Sequence, residues 1–194
     1  MKPVQLRYRL RFCATLTILF TATCGSGSLA TQPTPRIDRS AGNPEETGLK
    51  VIQTRPDLSG TSVGAPSDDQ NATVVVFFAT WCEPCRKELQ ILQHVREKQP
   101  GVRIVGVNTF EEWEDLSDDR HLRAFLSVWA PWLRVVHGDP ALVASFGGVK
   151  QIPAMFIFDR RGKLVRSFRK SERAMPSKAE VEGAVQLALR TAKQ

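Results

Sequence analysis

The segment Thr73 to Phe78 reads TVVVFF, and after its first residue no polar side chain interrupts it. A strand with one wet face alternates polar and apolar residues, whereas a strand covered on both faces runs apolar throughout. This segment therefore asks for a sheet inside the domain, with helices packed on each side of it. The remaining chain supplies suitable elements. Glu83 to Gln99 has helical periodicity and is stopped by Pro100-Gly101, and VRIVGVN from Val102 to Asn108 reads as a second buried strand. Ser117-Asp118-Asp119 caps a helix running to about Ala130, which Pro131 breaks. Leu133 to Val136 reads as a short strand, and Ala141 to Phe146 as a short helix ending at Gly147-Gly148.

Ala154 to Phe158 and Lys163 to Phe168 are joined by Asp159-Arg160-Arg161-Gly162, a hairpin pattern and hence antiparallel. The last helix opens on a capping box, Ser177 with Glu180, and runs to about Ala192. The expected fold class is α/β, a mixed central sheet with helices on both faces. Leu49 to Ile52 is expected as a first short strand, and Pro56 to Asn71 as a polar, turn-rich connection. No internal repeat is visible.

The start of the chain has a different character. Lys2, Arg7, Arg9 and Arg11 precede an uncharged stretch from Phe12 to Thr23. That stretch is ~12 residues, shorter than the ~17–25 of a spanning helix. Residues 1–30 therefore read as a secretory signal peptide, with cleavage after Ala30 of Ser28-Leu29-Ala30. The alternatives are a lipoprotein leader acylated at Cys24 and a leader retained as a membrane anchor. Residues 31–48, rich in Pro, Gly, Asn and charge, are expected as a flexible linker, and residues 49–194 as the folded domain.

Four of the 27 basic residues and none of the 20 acidic ones lie in that leader, so the net charge of +7 falls to +3 on cleavage. Nucleic-acid binding loses its support, because a functional basic patch would be concentrated on the folded domain. The run Arg160 to Lys170 stays basic but reads as the solvated face of the hairpin. Cleavage also removes Cys13 and Cys24, leaving Cys82 and Cys85 in an exported, oxidising compartment.

Three uses compete for these two cysteines. A tetrahedral zinc site wants four ligands, and His94, His121 and His137 offer no paired spacing to complete one. No metal and no cofactor are expected. A structural staple would close too small a ring, removing roughly 2 kcal/mol of unfolded-chain entropy against ~4.7 for a hundred-residue loop. A working dithiol fits best. The strand ends at Phe78 and the helix starts around Cys82, so this thiol lies at a helix N-terminus that favours its thiolate. Pro84 suits the first helical turn, where its missing N–H is harmless. Cys82 would attack and Cys85, one turn inward, would resolve.

ATWCEPCRKEL from Ala79 to Leu89 resembles the active site of thioredoxin-fold proteins, closest to the TlpA/ResA-like exported thiol–disulfide oxidoreductases, several of which serve cytochrome c maturation. GGVKQIPAMFIFDRRGKLV from Gly147 to Val165 resembles the second landmark of that family. The resemblance implies a thioredoxin-like fold and a cis Ile152–Pro153 bond facing the dithiol. It also implies supporting roles for Trp81, Glu83, Pro84, Ile152 and Pro153 around Cys82 and Cys85. The backbone of Ile152 would pair with an extended client strand. The implied partners are a disulfide-bearing client protein and a membrane-borne thiol electron donor, in the periplasm or cell envelope.

Glu88 stands out on the same helix. At ~100° per residue, it falls between Leu92 and Val95 in the apolar arc. Either it snorkels to water from the first turn, or burial keeps it protonated and it exchanges protons with Cys85. Members of the family with C-E-P-C-x-x-E carry an acid here. Glu83, between the cysteines, would disfavour the Cys82 thiolate and make the pair reducing. The alternatives are a thiol oxidase or isomerase, a thioredoxin-fold adaptor without catalysis, and a copper chaperone with His137 as its only loosely placed ligand.

Overall fold

The computed structural model describes residues 43–111, 119–170 and 175–191. The expected leader, Ala30, Cys24 and nearly all of the linker lie outside the described residues, as do Ser117 and Asp118 of the expected helix cap.

The chain enters through helix α1, Pro44–Thr54, which corrects two expectations. Leu49 to Ile52 is helical rather than a strand, and residues 44–48 belong to the helix rather than to a linker. The start is capped by Asn43, whose side chain accepts from the Glu45 N–H at 3.2 Å. Pro44 at the first position and Glu45 and Glu46 in the first turn all favour a helix N-terminus. Gly48, Leu49 and Ile52 form the buried face. At Gly48 the backbone comes so close to Phe146 that an added Cβ would lie 2.5 Å from the ring. Glycine is what allows that approach.

After an irregular segment come β1 (Ala72–Phe78), α2 (Glu83–Lys98) and β2 (Val102–Asn108). Beyond them lie α3 (Asp119–Trp129), β3 (Arg134–His137) and α4 (Pro140–Ser145). The hairpin β4 (Ala154–Asp159) and β5 (Leu164–Arg169) leads to α5 (Lys178–Thr191). The sheet order is β3-β2-β1-β4-β5, with β1 at the centre. β1 and β2 run parallel from Ala72↔Val102 to Phe78↔Asn108, and β2 and β3 are parallel too. β4 is antiparallel to both β1 and β5, which makes the sheet mixed.

Every residue of β1 is buried, as its unbroken apolar run requires. Phe77 faces the side covered by α1 and α4, meeting Phe146 and Phe156 at ring-centroid distances of 5.0 and 5.8 Å. Such aromatic pairs are each worth about 0.5–1.5 kcal/mol beyond the area they bury. Phe78 faces the other side and stacks on Phe125 of α3 at 6.0 Å. There α2 packs against both α3 and α5.

The expected capping box holds: Ser177 N–H donates to Glu180 at 2.8 Å, and Glu180 N–H donates to the Ser177 hydroxyl at 3.3 Å. The basic run on β5 is not uniformly solvated, however. Arg169 turns inward, donating to Glu45 and to the Phe146 carbonyl, both at 2.7 Å, with its guanidinium over the Phe156 ring. The parallel β1-α2-β2 unit brings the C-terminal ends of β1 and β2 and the N-terminus of α2 to one end of the sheet, where α/β proteins place their chemistry.

Candidate active site

β1 ends at Phe78 and α2 starts at Glu83, leaving the loop Ala79–Cys82 to carry the first cysteine. Cys82 is the N-cap of α2: its sulfur accepts from the Cys85 N–H at 3.3 Å. Its carbonyl accepts from Cys85 and Arg86 N–H at 3.1 and 3.3 Å. Pro84 sits in the first turn as expected. Cys82 and Cys85 are joined as a disulfide, with Cα atoms 5.3 Å apart. They are 3% and 0% exposed, so both are shielded from bulk water. They differ in access: Cys82 lines a cleft of about 600 Å³, whose wall does not include Cys85.

Trp81, Glu83 and Pro84 line the same cleft on the dithiol side, and Ile152 lines it opposite. The Ile152–Pro153 bond is cis, and Pro153 itself is buried behind the wall. The peptide groups of Gln151 and Ile152 take no hydrogen-bond partner among the described residues. That leaves a short stretch of backbone open to an incoming extended segment, as in strand addition.

Glu88 is 2% exposed, its Oε1 has no hydrogen-bond partner, and it lies on the buried face of α2 with Leu89, Leu92 and Val95. Nearly all of it is withdrawn from bulk water. Desolvation by burial pushes its pKa from the ordinary carboxylate range up to about 7. On a helix, positions three apart are neighbours, so this acid lies one turn behind Cys85.

Glu83 does not stand alone between the cysteines. It is exposed and pairs with Lys87 at 3.0 Å, whose hydrogen bond and then charge hold its pKa below the ordinary value. The negative charge between the cysteines thus has a cation beside it, one turn away on the same helix.

Three contributors escape sequence reasoning. Glu111, 6% exposed, accepts from the Thr80 N–H at 2.7 Å, from the Thr80 hydroxyl at 2.8 Å and from the Asn108 amide. Phe110, a non-glycine residue at φ 63°, accepts from the Trp81 indole N–H at 2.9 Å. Arg86 donates to the Thr80 carbonyl at 3.3 Å and lies over the Trp129 ring. Together they clamp the two residues before Cys82. Position is the one signal in the sequence: Asn108 ends a parallel strand beside β1, so the turn after it must lie near the dithiol loop.

Among the described residues no group of three His, Cys, Asp or Glu side chains is placed to hold a metal ion. Nor is any helix among them long and apolar enough to cross a membrane.

Comparison with known proteins agrees with this geometry. The thioredoxin-like family matches residues 70–164. The chain is similar to the thioredoxin-like protein YneN of Bacillus subtilis, with 28% identity over 61% of this chain and 71% of that protein. It is also similar to the thiol-disulfide oxidoreductase ResA of Bacillus thuringiensis, with 25% identity over 85% of this chain and 88% of that one. A secreted Mycobacterium tuberculosis disulfide oxidoreductase homologous to E. coli DsbE shares the fold, with a TM-score of 0.56 and 23% identity, covering 72% of this chain and 98% of that one. A disulfide capping α2 and a cis-proline loop beside it, on this mixed five-stranded sheet, give the chain a thioredoxin-like fold, and the relatives it resembles are thiol–disulfide oxidoreductases.

Proposed function

We propose that the protein is exported and reduces disulfides of exported client proteins, taking its electrons from a membrane-borne thiol donor. The observation that carries this reading is the division between the cysteines: Cys82 borders the cleft and Cys85 lies behind it. In the reduced protein the Cys82 thiolate, favoured by the helix N-terminus, attacks one sulfur of the client disulfide and expels the other as a thiolate. Cys85 then passes its proton to Glu88 and attacks the Cys82 sulfur, expelling the second client thiolate. Two electrons move to the client, whose thiolates take up protons, and the Cys82–Cys85 disulfide remains. Glu88, with its raised pKa, is suited to accept that proton near neutral pH. Trp81, Pro84, Ile152 and Pro153 shape the cleft that receives the client. Apocytochrome c is the client class to which the family resemblance points.

One observation favours the opposite polarity, thiol oxidation: Lys87 offsets the charge of Glu83. Titration in glutathione buffers separates the two. A potential below about −200 mV supports the reductant, and one above about −150 mV, toward the ~−120 mV of strong oxidants, overturns it. Cys85→Ser should trap a mixed disulfide through Cys82 that mass spectrometry identifies, and Cys82→Ser should abolish reduction of insulin. If the reduced protein alkylates faster at Cys85 than at Cys82, the assignment of roles is wrong.

A further inference from the structure

We infer that the cleft selects clients by charge: the disulfide-bearing segment it takes is acidic next to its reacting cysteine. This deepens the proposed function by naming the client class, and it rests on that reading. Several cations elsewhere on α2 and β5 are already occupied. Arg86 is committed to the Thr80 carbonyl and the Trp129 ring, Lys87 to Glu83, and Arg169 to Glu45 and the Phe146 carbonyl. Lys150 and Lys170 also line the cleft, are exposed, and make no ion pair or hydrogen bond among the described residues. Glu83 is the single acidic residue among the described residues lining it, and Lys87 already matches it. The described wall therefore carries two uncompensated positive charges.

Their placement is specific. Lys150 lies two residues before Ile152, whose peptide is open to a client strand. Lys170 comes directly after Arg169, which pairs in register with Ala154 of β4, so it stands beside the other end of the Ile152–Pro153 segment. The two lysines thus flank, along the chain and across the β4–β5 register, the backbone that an extended client would pair with. A client strand seated there, with its sulfur at Cys82, presents its neighbouring side chains to one lysine or the other. Aspartate or glutamate in those places gains attraction during approach and in the mixed disulfide, and lysine or arginine meets repulsion. Exposed pairs are individually weak, so discrimination comes from both lysines acting together and from the difference between attraction and repulsion.

The test uses the full, pre-reduced protein and disulfide-looped peptides identical except for Asp or Lys on either side of one cysteine. Bis(2-hydroxyethyl) disulfide serves as an uncharged probe. Stopped-flow rates should favour the Asp peptide by roughly tenfold at low ionic strength, with the gap closing toward 1 M salt. In the double variant Lys150→Glu, Lys170→Glu the ratio should invert, whereas Lys150→Arg with Lys170→Arg should keep it. The readout is a ratio within one protein, so a change in overall activity does not disturb it. Equal rates for the two peptides, or a preference that survives charge reversal, would overturn the inference while leaving the oxidoreductase intact. Failure of the wild type to reduce the uncharged disulfide would sink the redox reading, and the inference with it.

Discussion

Two buried carboxylates stand on either side of the dithiol loop, and their surroundings could hardly differ more. Glu111, in the turn after β2, receives three hydrogen bonds from Thr80 and Asn108. Glu88, on α2, is packed among Leu89, Leu92 and Val95 with an oxygen that nothing donates to. Their exposures are close, 6% and 2%, so burial alone does not separate them. Donors do. A buried carboxylate whose oxygens are occupied acts as a fixed node, here holding the residue two before Cys82. A buried carboxylate left without donors is penalised in its charged form, so it keeps a proton to about pH 7. One architecture thus obtains rigidity from the first acid and a titratable group from the second.

The largest effect expected from this contrast is on stability. Glu111→Ala leaves the Thr80 N–H, the Thr80 hydroxyl and the Asn108 amide without their acceptor. Unmet buried donors cost about 1–3 kcal/mol each before relaxation, so urea unfolding should show a loss of roughly 3–5 kcal/mol. A loss below about 1 kcal/mol would mean that the node is not holding the loop, and the contrast would collapse.

Next comes the pH dependence of stability. The folded pKa of Glu88 lies near 7, above the ordinary value of 4.5, so the folded state binds the proton more tightly than the unfolded chain. Below pH 4.5 both states are protonated and Glu88 carries no penalty. As the pH rises from 4.5 to 7 the unfolded chain ionises first, and stability falls through that window. At ~1.4 kcal/mol per unit, the penalty approaches about 3 kcal/mol above pH 8. Glu88→Gln should therefore match wild type near pH 4 and exceed it increasingly toward pH 8. A stability difference that does not change with pH would put Glu88 in contact with water.

The smallest of the three effects is kinetic. Glu88→Gln keeps the shape and removes the proton exchange, which should slow disulfide exchange by about 10²-fold, or ~2.7 kcal/mol in barrier. The rate profile from pH 5 to 9 should lose one step, which belongs to the cluster of Glu88 and the two thiols rather than to the acid alone. Unchanged rates and profile would leave Glu88 buried but idle.

Legibility in the sequence divides along physical lines. β1, β2, the hairpin and α2 announce themselves through local pattern, because their burial is written in consecutive residues. The dithiol, its place at a helix start and the apolar position of Glu88 are local in the same sense. α1 reads as a strand from Leu49 to Ile52 because four residues cannot separate the two periods. Its true signal, the cap Asn43 with Pro44, Glu45 and Glu46, lies just upstream in a stretch that composition alone makes look like linker. Glu83 looks like an unbalanced charge until Lys87, four residues on, is brought beside it by helix geometry. Glu111, Phe110 and Arg86 are out of reach. The pairing of Phe78 with Asn108 is what carries the turn after β2 to Thr80 and Trp81, and no local pattern encodes that register.

The order β3-β2-β1-β4-β5 also governs when this chain is able to fold. The central strand takes one neighbour from the segment after α2, but its other neighbour, β4, arrives much later, with Ala72 facing Asp159. α1 depends on the same late arrivals, through Phe146 and through Arg169, 124 residues beyond Glu45. Until α4 and the hairpin are available, α1 lacks its partners and β1 keeps an open edge, so early collapse gains little. Contacts of such long span must overcome their loop entropy before they stabilise anything, and that slows folding relative to a helical bundle of this size. A growing or partly threaded chain ending before β4 would leave one edge of its most apolar strand unpaired and open to chaperones or to other chains.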